Sequence, residues 1–175
     1  MTDHSAILCR LLGGVLLASG WALASAPALA ATTTSTSMTV SAAIPNSCTA
    51  STTGNMAFGT LAASLTVSAN VDTTGTLSVT CLNGGTYTVI ADNGQNVSSG
   101  QRRMTKNGSS GPFLNYNIYA DSGRSTAFPT AVGSATTQTG SGSAQTITVY
   151  GRIPANATAT EAGAYSDTLG FTITY

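Results

Sequence analysis

The residues of this sequence that could take part in catalysis are few, and several lie close to its amino terminus. The only histidine is His4, and Cys9 is one of three cysteines. Acid–base or nucleophilic catalysis needs a base close to a nucleophile, usually histidine, or a pair of carboxylates. If residues 1–30 are removed, no histidine remains, and the remaining acids stand mostly beside turns. The sequence therefore predicts neither an enzyme nor a bound cofactor.

Residues 1–30 have the features of a secretory signal peptide. Arg10 precedes an apolar run over 11–24, and Ala28-Leu29-Ala30 matches the small-x-small pattern of a cleavage site. The apolar run is short and contains glycine and serine, which is atypical of a transmembrane helix. Retention of the segment as an anchor is the alternative. We predict cleavage after Ala30, export of residues 31–175, and no membrane span in the mature chain.

Export leaves Cys48 and Cys81 as the only mature cysteines, and it places them in an oxidising compartment. Cys81 has the same parity as Leu77 and Val79, so its side chain should point into the core. Two thiolates without a histidine are too few ligands for a metal site. We therefore predict one structural disulfide and no metal. Closing that loop stabilises the domain by roughly 3–4 kcal/mol in the chain-entropy model.

Three other features carry polar side chains that could bind or react. Tyr165 resembles the corner tyrosine of immunoglobulin-like sandwiches, whose hydroxyl satisfies a nearby backbone group. Asp167 could be catalytic, but a loop carboxylate that accepts backbone N–H groups where a strand begins is the favoured interpretation. The basic cluster Arg102–Lys106 could bind an anionic glycan, yet a solvated hairpin tip is the prediction.

Charge excludes two classes of partner. The formal net charge is zero. Near-neutrality gives no electrostatic reason to expect binding to nucleic acid or to an anionic membrane surface. The mature chain carries few charges of either sign: Arg102, Arg103, Lys106, Arg124 and Arg152, with Asp72, Asp92, Asp121, Glu161 and Asp167.

The mature chain is punctuated by turn signals rich in glycine and asparagine, such as Asn83-Gly84-Gly85 and Asp92-Asn93-Gly94. No segment shows a sustained helical period. Many short alternating runs with such turns are typical of an all-β sandwich. The predicted strands are 57–61, 65–71, 76–82, 86–91, 113–119, 146–153 and a terminal strand.

The terminal strand has the clearest pattern in the chain. Leu169, Phe171, Ile173 and Tyr175 alternate with small or polar residues. This period of two predicts a half-buried strand. Because the sequence ends on it, either the sheet closes with earlier strands or one edge stays open for another chain.

The opening of the mature chain also alternates. Seven residues share one parity, and Pro45 ends the run: Thr32, Thr34, Thr36, Met38, Val40, Ala42 and Ile44. We expect one long strand or two joined strands here.

Several short motifs together resemble the spore coat protein U family, which includes pilin subunits of archaic chaperone–usher pili. They occur in family order and span nearly all of residues 31–175: Phe58-Gly59-Thr60-Leu61, Gly75–Cys81, Leu114–Asp121, Val149–Pro154 and Gly163–Leu169.

The resemblance implies an incomplete immunoglobulin-like β-sandwich that lacks its last strand. In such proteins a periplasmic chaperone fills the groove first, and at the outer-membrane usher the amino-terminal segment of another subunit replaces it. The missing strand is thus supplied in trans by β-augmentation. The mature protein would pass through the periplasm to a cell-surface pilus that supports adhesion or biofilm formation.

Carried onto this sequence, the resemblance divides the mature chain into a donor extension, 31–40, and a domain, 41–175. Alternate residues of the extension would fill a groove in another copy. The terminal strand would form the groove wall and contact the chaperone, with its carboxylate as an anchor. The implied donor residues are Thr32, Thr34, Thr36, Met38 and Val40, and the implied groove residues are Leu169, Phe171, Ile173 and Tyr175.

The extension departs from the expected pattern, because donor residues should be bulky and apolar whereas Thr32, Thr34 and Thr36 are small and half-polar. Met38 and Val40 either supply the apolar anchors or begin the first strand of the domain itself. An exported coat or binding module that does not polymerise is the alternative function.

Overall fold

The computed structural model describes residues 32–62, 66–108 and 111–175. The predicted signal peptide and Ala31 lie outside the described residues. The described part of the chain contains one 3-10 turn, Val132–Ser134, and eight β-strands. They are β1 Cys48–Gly54, β2 Val71–Cys81, β3 Thr86–Ala91, β4 Arg102–Thr105, β5 Phe113–Tyr119, β6 Gln138–Thr139, β7 Gln145–Ile153 and β8 Phe171–Thr174.

The strands form two sheets, which confirms the all-β prediction. The larger sheet has the order β1-β2-β7-β5-β4, and the smaller has the order β6-β3-β8. Every strand pair within them is antiparallel. Antiparallel pairing allows one face of each sheet to be buried while the other stays solvated, which is what the alternating sequence requires.

Both sheets contribute to one hydrophobic core. Alternate residues are buried along β2, where Leu77, Val79 and Cys81 face inward, and along β3, where Tyr87 and Val89 do so. They belong to a single cluster that also contains residues of β5 and β7. Because successive side chains of a strand point to opposite faces, the period of two in the sequence is sufficient to build this core.

The predicted disulfide between Cys48 and Cys81 is confirmed. The two residues lie directly opposite each other in the β1–β2 pair. β1 itself was not predicted, because most of its side chains are small and exposed and give no apolar alternation. Its order comes from backbone pairing with β2 and from the covalent bond at its first residue.

One predicted strand is wrong, and a second is wrong in part. Residues 57–61 form no strand. Of 65–71, Leu65 lies outside the described residues, Thr66 makes an isolated bridge with Thr158, and β2 begins only at Val71. Alternate side chains of these segments pack toward the core. The backbone of the segments, however, forms no β-ladder with a neighbouring strand.

The prediction of a solvated hairpin tip at Arg102–Lys106 is also wrong. Residues 102–105 are β4, and the Arg102 side chain is buried. Its Nε and Nη2 atoms donate to the Asp92 carbonyl oxygen at 3.1 and 2.7 Å. Hydrogen bonds to a backbone carbonyl allow the guanidinium to be buried, which the charge pattern alone did not reveal.

The compact domain comprises Ala42–Tyr175. The described residues before it, 32–41, form no strand and are all exposed, contrary to the predicted first strand. Met38 is 88% exposed and Val40 is 89% exposed. In the described parts of the chain, no helix combines the length and apolarity needed to cross a membrane.

Candidate functional site

The carboxyl-terminal strand β8 lies at the edge of the smaller sheet. Leu169, Phe171 and Ile173 are partly buried and pack against the core, whereas the residues between them are exposed. Tyr175 follows the same parity but is 60% exposed. Three of the four predicted groove residues therefore line the interior, and the fourth lies beyond the end of the strand.

Backbone hydrogen bonds show which way the β8 peptide groups face. The Asp92 N–H donates to the Gly170 carbonyl at 2.9 Å, and the Ala91 N–H donates away from β8, to the Pro129 carbonyl at 2.9 Å. Bonded and non-bonded pairs alternate along an antiparallel ladder. The register therefore directs the N–H and C=O groups of Phe171 and Ile173 away from β3. Among the described residues, no strand pairs with this side of β8.

Two adjoining clefts open onto the core, and the first of them borders this unpaired edge at Leu169 and Phe171. The first has a volume of about 480 Å³ and reaches from the end of β1 to β8, with core residues Leu77 and Val149 at its base. The second, of about 910 Å³, is mainly apolar and continues toward the loop 159–165. Both clefts are lined by Met56, Phe58, Met104 and Tyr165. We call the two clefts together the groove.

The side chains of Met56 and Phe58, which belong to the same chain as the groove, occupy part of it. Both residues lie on a segment that leaves the larger sheet after β1, and their side chains pack over two glycines of β2 and β7. A Cβ at Gly151 would collide with the Met56 sulfur and approach the Phe58 ring to 3.1 Å, while one at Gly75 would lie 3.4 Å from Met56 Cβ. The glycines thus provide space for side chains between the sheets.

Asp167 joins the start of the β8 segment to both sheets. Its Oδ2 accepts a hydrogen bond of 2.6 Å from the Tyr116 hydroxyl of β5. Its Oδ1 accepts from the Gln95 N–H at 3.0 Å and from Asn96 Nδ2 at 3.2 Å, both in the loop after β3. A Cβ at Gly94 would collide with this carboxylate, and that residue has a φ of 77°. Glycine therefore allows the loop to close around Asp167.

The Tyr116 hydroxyl is held as a hydrogen-bond donor. Burial raises the pKa of Tyr116, and the bond to the Asp167 carboxylate raises it further. The phenol therefore stays protonated at any physiological pH and donates to Asp167. Because both residues line the first cleft, this bond fixes the position of the groove wall.

Tyr165 and its neighbours secure the loop that borders the second cleft. The Tyr165 hydroxyl donates to the Glu161 carbonyl at 2.8 Å. The Glu161 carboxylate forms an ion pair with Lys106 at 3.0 Å. One residue later, Ser166 and Thr105 exchange two backbone hydrogen bonds, at 2.9 and 3.0 Å. The chain therefore runs beside β4 before it crosses to the smaller sheet as β8.

The predicted donor residues Thr32, Thr34 and Thr36 are exposed, as are Met38 and Val40. Ile44 is 85% exposed as well and has the same parity. The predicted donor ends at Val40, so Ile44 lies outside it. Sequence reasoning also missed Met56 as a groove residue, for which the only sequence signal is its alternation with Phe58.

The groove provides an apolar cavity and, along β8, unpaired backbone hydrogen-bonding groups. Among the residues that line it, the ionisable ones are Asp167, Glu161, Tyr116 and Tyr165. In the described residues, no three His, Cys, Asp or Glu side chains are grouped to bind a metal ion. An unpaired strand edge beside an apolar cleft can accept an extended peptide by β-augmentation.

Comparisons with known proteins agree with this architecture. The sequence profile of the Spore Coat Protein U domain matches residues 34–172. A comparison with curated protein sequences finds no significant match.

Among solved structures, 15 chains match. One belongs to the CsuC–CsuE chaperone–tip adhesion subunit pre-assembly complex from archaic chaperone–usher Csu pili of Acinetobacter baumannii. It has a TM-score of 0.52 and 20% sequence identity, and the alignment covers 75% of this chain and 40% of that chain. This likeness supports the fold.

Proposed function

The chain belongs to the Spore Coat Protein U domain family, and from that premise we propose that it is a structural subunit of a surface pilus assembled by the chaperone–usher pathway. The observation that carries the proposal is the unpaired edge of β8 beside an apolar groove. The family is structural, not enzymatic, and the groove lining has the character of a protein-binding site.

The physical basis is β-augmentation. A strand laid along β8 forms main-chain hydrogen bonds with Phe171 and Ile173, and its alternate side chains enter the groove. Burying a Val, Leu or Met side chain contributes about 1.5–3 kcal/mol. Two or three such residues, together with the backbone bonds, stabilise both the added strand and the sandwich that receives it.

The proposed occupant is the extension of a second copy or of a related subunit. Met38 and Val40 are exposed, apolar and two residues apart, so both can point into the same groove. The threonines before them contribute methyl groups and bury less apolar surface. Before assembly, a periplasmic chaperone occupies the groove, and the exchange takes place at an outer-membrane usher. The solved chaperone–subunit complex supports the choice of a chaperone as partner.

A second candidate is an exported coat or binding module that does not polymerise. The small, half-polar side chains of Thr32, Thr34 and Thr36 favour it, because they give the first part of the extension little apolar surface. In that case the extension would be a solvated tail, and the groove would bind a different peptide.

Gel electrophoresis without boiling separates the two candidates. Multimers joined by exchanged strands dissociate slowly, so periplasmic or surface extract should give a ladder that collapses to monomer on boiling. A variant that lacks residues 32–40 is the control and should give no ladder. A single monomer band from the unaltered protein in every extract would contradict the proposal.

A further inference from the structure

The chain that precedes β1 is fixed at one end of the domain. The Ser47 carbonyl accepts the Leu82 N–H at 3.1 Å, and Asn46 Nδ2 donates to the Thr86 carbonyl at 2.9 Å. Thr86 begins β3, close to the position where Thr88 pairs with Thr174 near the end of β8. We call this end of the domain, with the turn 82–85, the exit end.

The opposite end carries the start of β8 and the loop that borders the second cleft. β7 runs from Gln145, opposite Val79, to Ile153, opposite Val71, so it leads away from the exit end. The loop 159–165 follows it and is held by the Lys106–Glu161 ion pair. We call this the far end. The lining of the groove reaches from the middle of β2, at Leu77, to the loop 159–165 at this far end.

Ile44 lies two residues before Asn46, whose side chain is bonded to Thr86 at the exit end. It is 85% exposed and shares the parity of Met38 and Val40, so a strand that presents those two residues to a groove also presents Ile44. Only Pro45 separates it from Asn46. An extended chain spans at most about 3.3–3.6 Å per residue, so Asn46 stays within roughly 7 Å of a docked Ile44.

The direction of docking decides which ends meet. Every strand pair in both sheets is antiparallel, and antiparallel pairing is also slightly more stable per residue. A strand antiparallel to β8 ends at the far end of the domain that receives it. Because Ile44 is at the carboxyl end of the docked strand, the exit end of the donating copy is brought to the far end of the receiving copy.

We propose that consecutive copies of this chain form a second contact, in which the turn 82–85 of one copy rests on the loop 159–163 of the next. The inference rests on the proposed function, because it needs a donated strand. The linker of one residue is too short to keep the domains apart. The turn 82–85 contains no charged side chain, so it meets the ion-paired Glu161 without repulsion between like charges.

The same geometry explains how the assembly stays open. Contact between an exit end and a far end is heterologous, and each copy still has one free end, so growth continues. A strand parallel to β8 would instead bring two exit ends together. Each copy could then fill the groove of the other, which would give a closed dimer.

Cysteine cross-linking tests the contact. Asn83→Cys and Ala162→Cys place one thiol at each end, on residues that are exposed. The full-length double variant is exported, oxidised with a thiol-specific catalyst, and boiled under non-reducing conditions. The expected result is a ladder that survives boiling and collapses with reductant. Each single variant, and the matched pair Ala131→Cys with Ala162→Cys, should show only monomer after boiling.

The unboiled gel distinguishes failure of this inference from failure of the proposed function. If unboiled samples show a ladder and the boiled, oxidised double variant does not, the contact is wrong while strand donation stands. Cross-linked dimers from Asn83→Cys alone would indicate parallel docking and would also overturn the contact. If unboiled samples show no ladder, strand donation is wrong, and the contact is rejected with it.

Discussion

The first and last segments of residues 32–175 have the same apolar pattern and opposite environments. Met38, Val40 and Ile44 share one parity near the start, and Leu169, Phe171 and Ile173 share one parity near the end. The first set is exposed, whereas the second packs against the core. The difference lies in backbone pairing, because β8 has β3 beside it and residues 32–47 belong to no strand.

A period of two therefore indicates that a segment can be a strand but does not identify its sheet. In the proposed function, the exposed segment completes the sheet of another copy next to β8. The two segments are then the two sides of one interface, carried on different molecules. The following substitutions test each side separately.

The largest effect is expected from Phe171→Arg. The Phe171 ring packs edge-on against Phe128, with ring centroids 5.8 Å apart. An unpaired charge in this apolar site costs several kcal/mol, a large part of the total stability of about 5–15 kcal/mol. We expect the variant to be degraded or to aggregate in the periplasm, as measured by immunoblot of soluble extract.

Thr172→Arg is the matched control for Phe171→Arg, because it places the same charge on the exposed face of β8. It should leave the amount of soluble protein nearly unchanged. Equal loss in both variants would show that β8 tolerates no arginine on either face and would contradict the assignment of its buried face.

Met38→Arg should affect assembly but not folding. The charge would enter the groove of a neighbouring copy, where it costs several kcal/mol, while the groove of the variant itself is unaltered. Co-expressed with the unaltered chain, the variant should shorten the unboiled ladder. The total amount of soluble protein should not change.

Thr39→Arg is the control for Met38→Arg, because it has the opposite parity and should point away from the groove. Its ladder should match that of the unaltered chain. If Met38→Arg instead abolished soluble protein, Met38 would belong to the domain itself, and the donor would be confined to the threonines before it.

The smallest effect is expected at the bond that positions the start of the β8 segment. Tyr116→Phe removes the hydroxyl that donates to Asp167. Loss of a hydrogen bond to a charged group costs about 1.5–3 kcal/mol. The urea midpoint of unfolding should fall, whereas the exposed Tyr175→Phe should leave it unchanged. Equal midpoints for both variants would show that the Tyr116–Asp167 bond contributes nothing to stability.

Sequence reasoning predicted the features that depend on local pattern. The disulfide followed from the two cysteines that come after the predicted signal peptide, and the buried face of β8 followed from Leu169, Phe171 and Ile173. β1 could not be predicted in this way, because its small, exposed residues are ordered by their pairing with β2 across a long loop. Backbone pairing between distant segments leaves no trace in side-chain alternation.

Burial of charged and irregular segments was equally hard to predict. The charge of Arg102 predicted an exposed side chain. The side chain is nevertheless buried, because its guanidinium donates hydrogen bonds to the Asp92 carbonyl oxygen. Met56 and Phe58 alternate like a strand, but Gly75 and Gly151 provide the space that they occupy. Asp92 lies ten residues before Arg102, and Gly151 lies much further from Met56 and Phe58, so the alternation or charge of one segment does not reveal its partner.

The Cys48–Cys81 bond also determines how the domain carries mechanical load. A pull on the segment before β1 reaches the domain at Asn46 and Ser47, and Cys48 is the next residue. The disulfide transmits that force directly to Cys81 at the end of β2, a strand that pairs with β1 and, as far as Val79, with β7. The force therefore does not pass through the hydrogen bonds between β1 and β2. Tension cannot separate β1 from the sheet while the disulfide is intact.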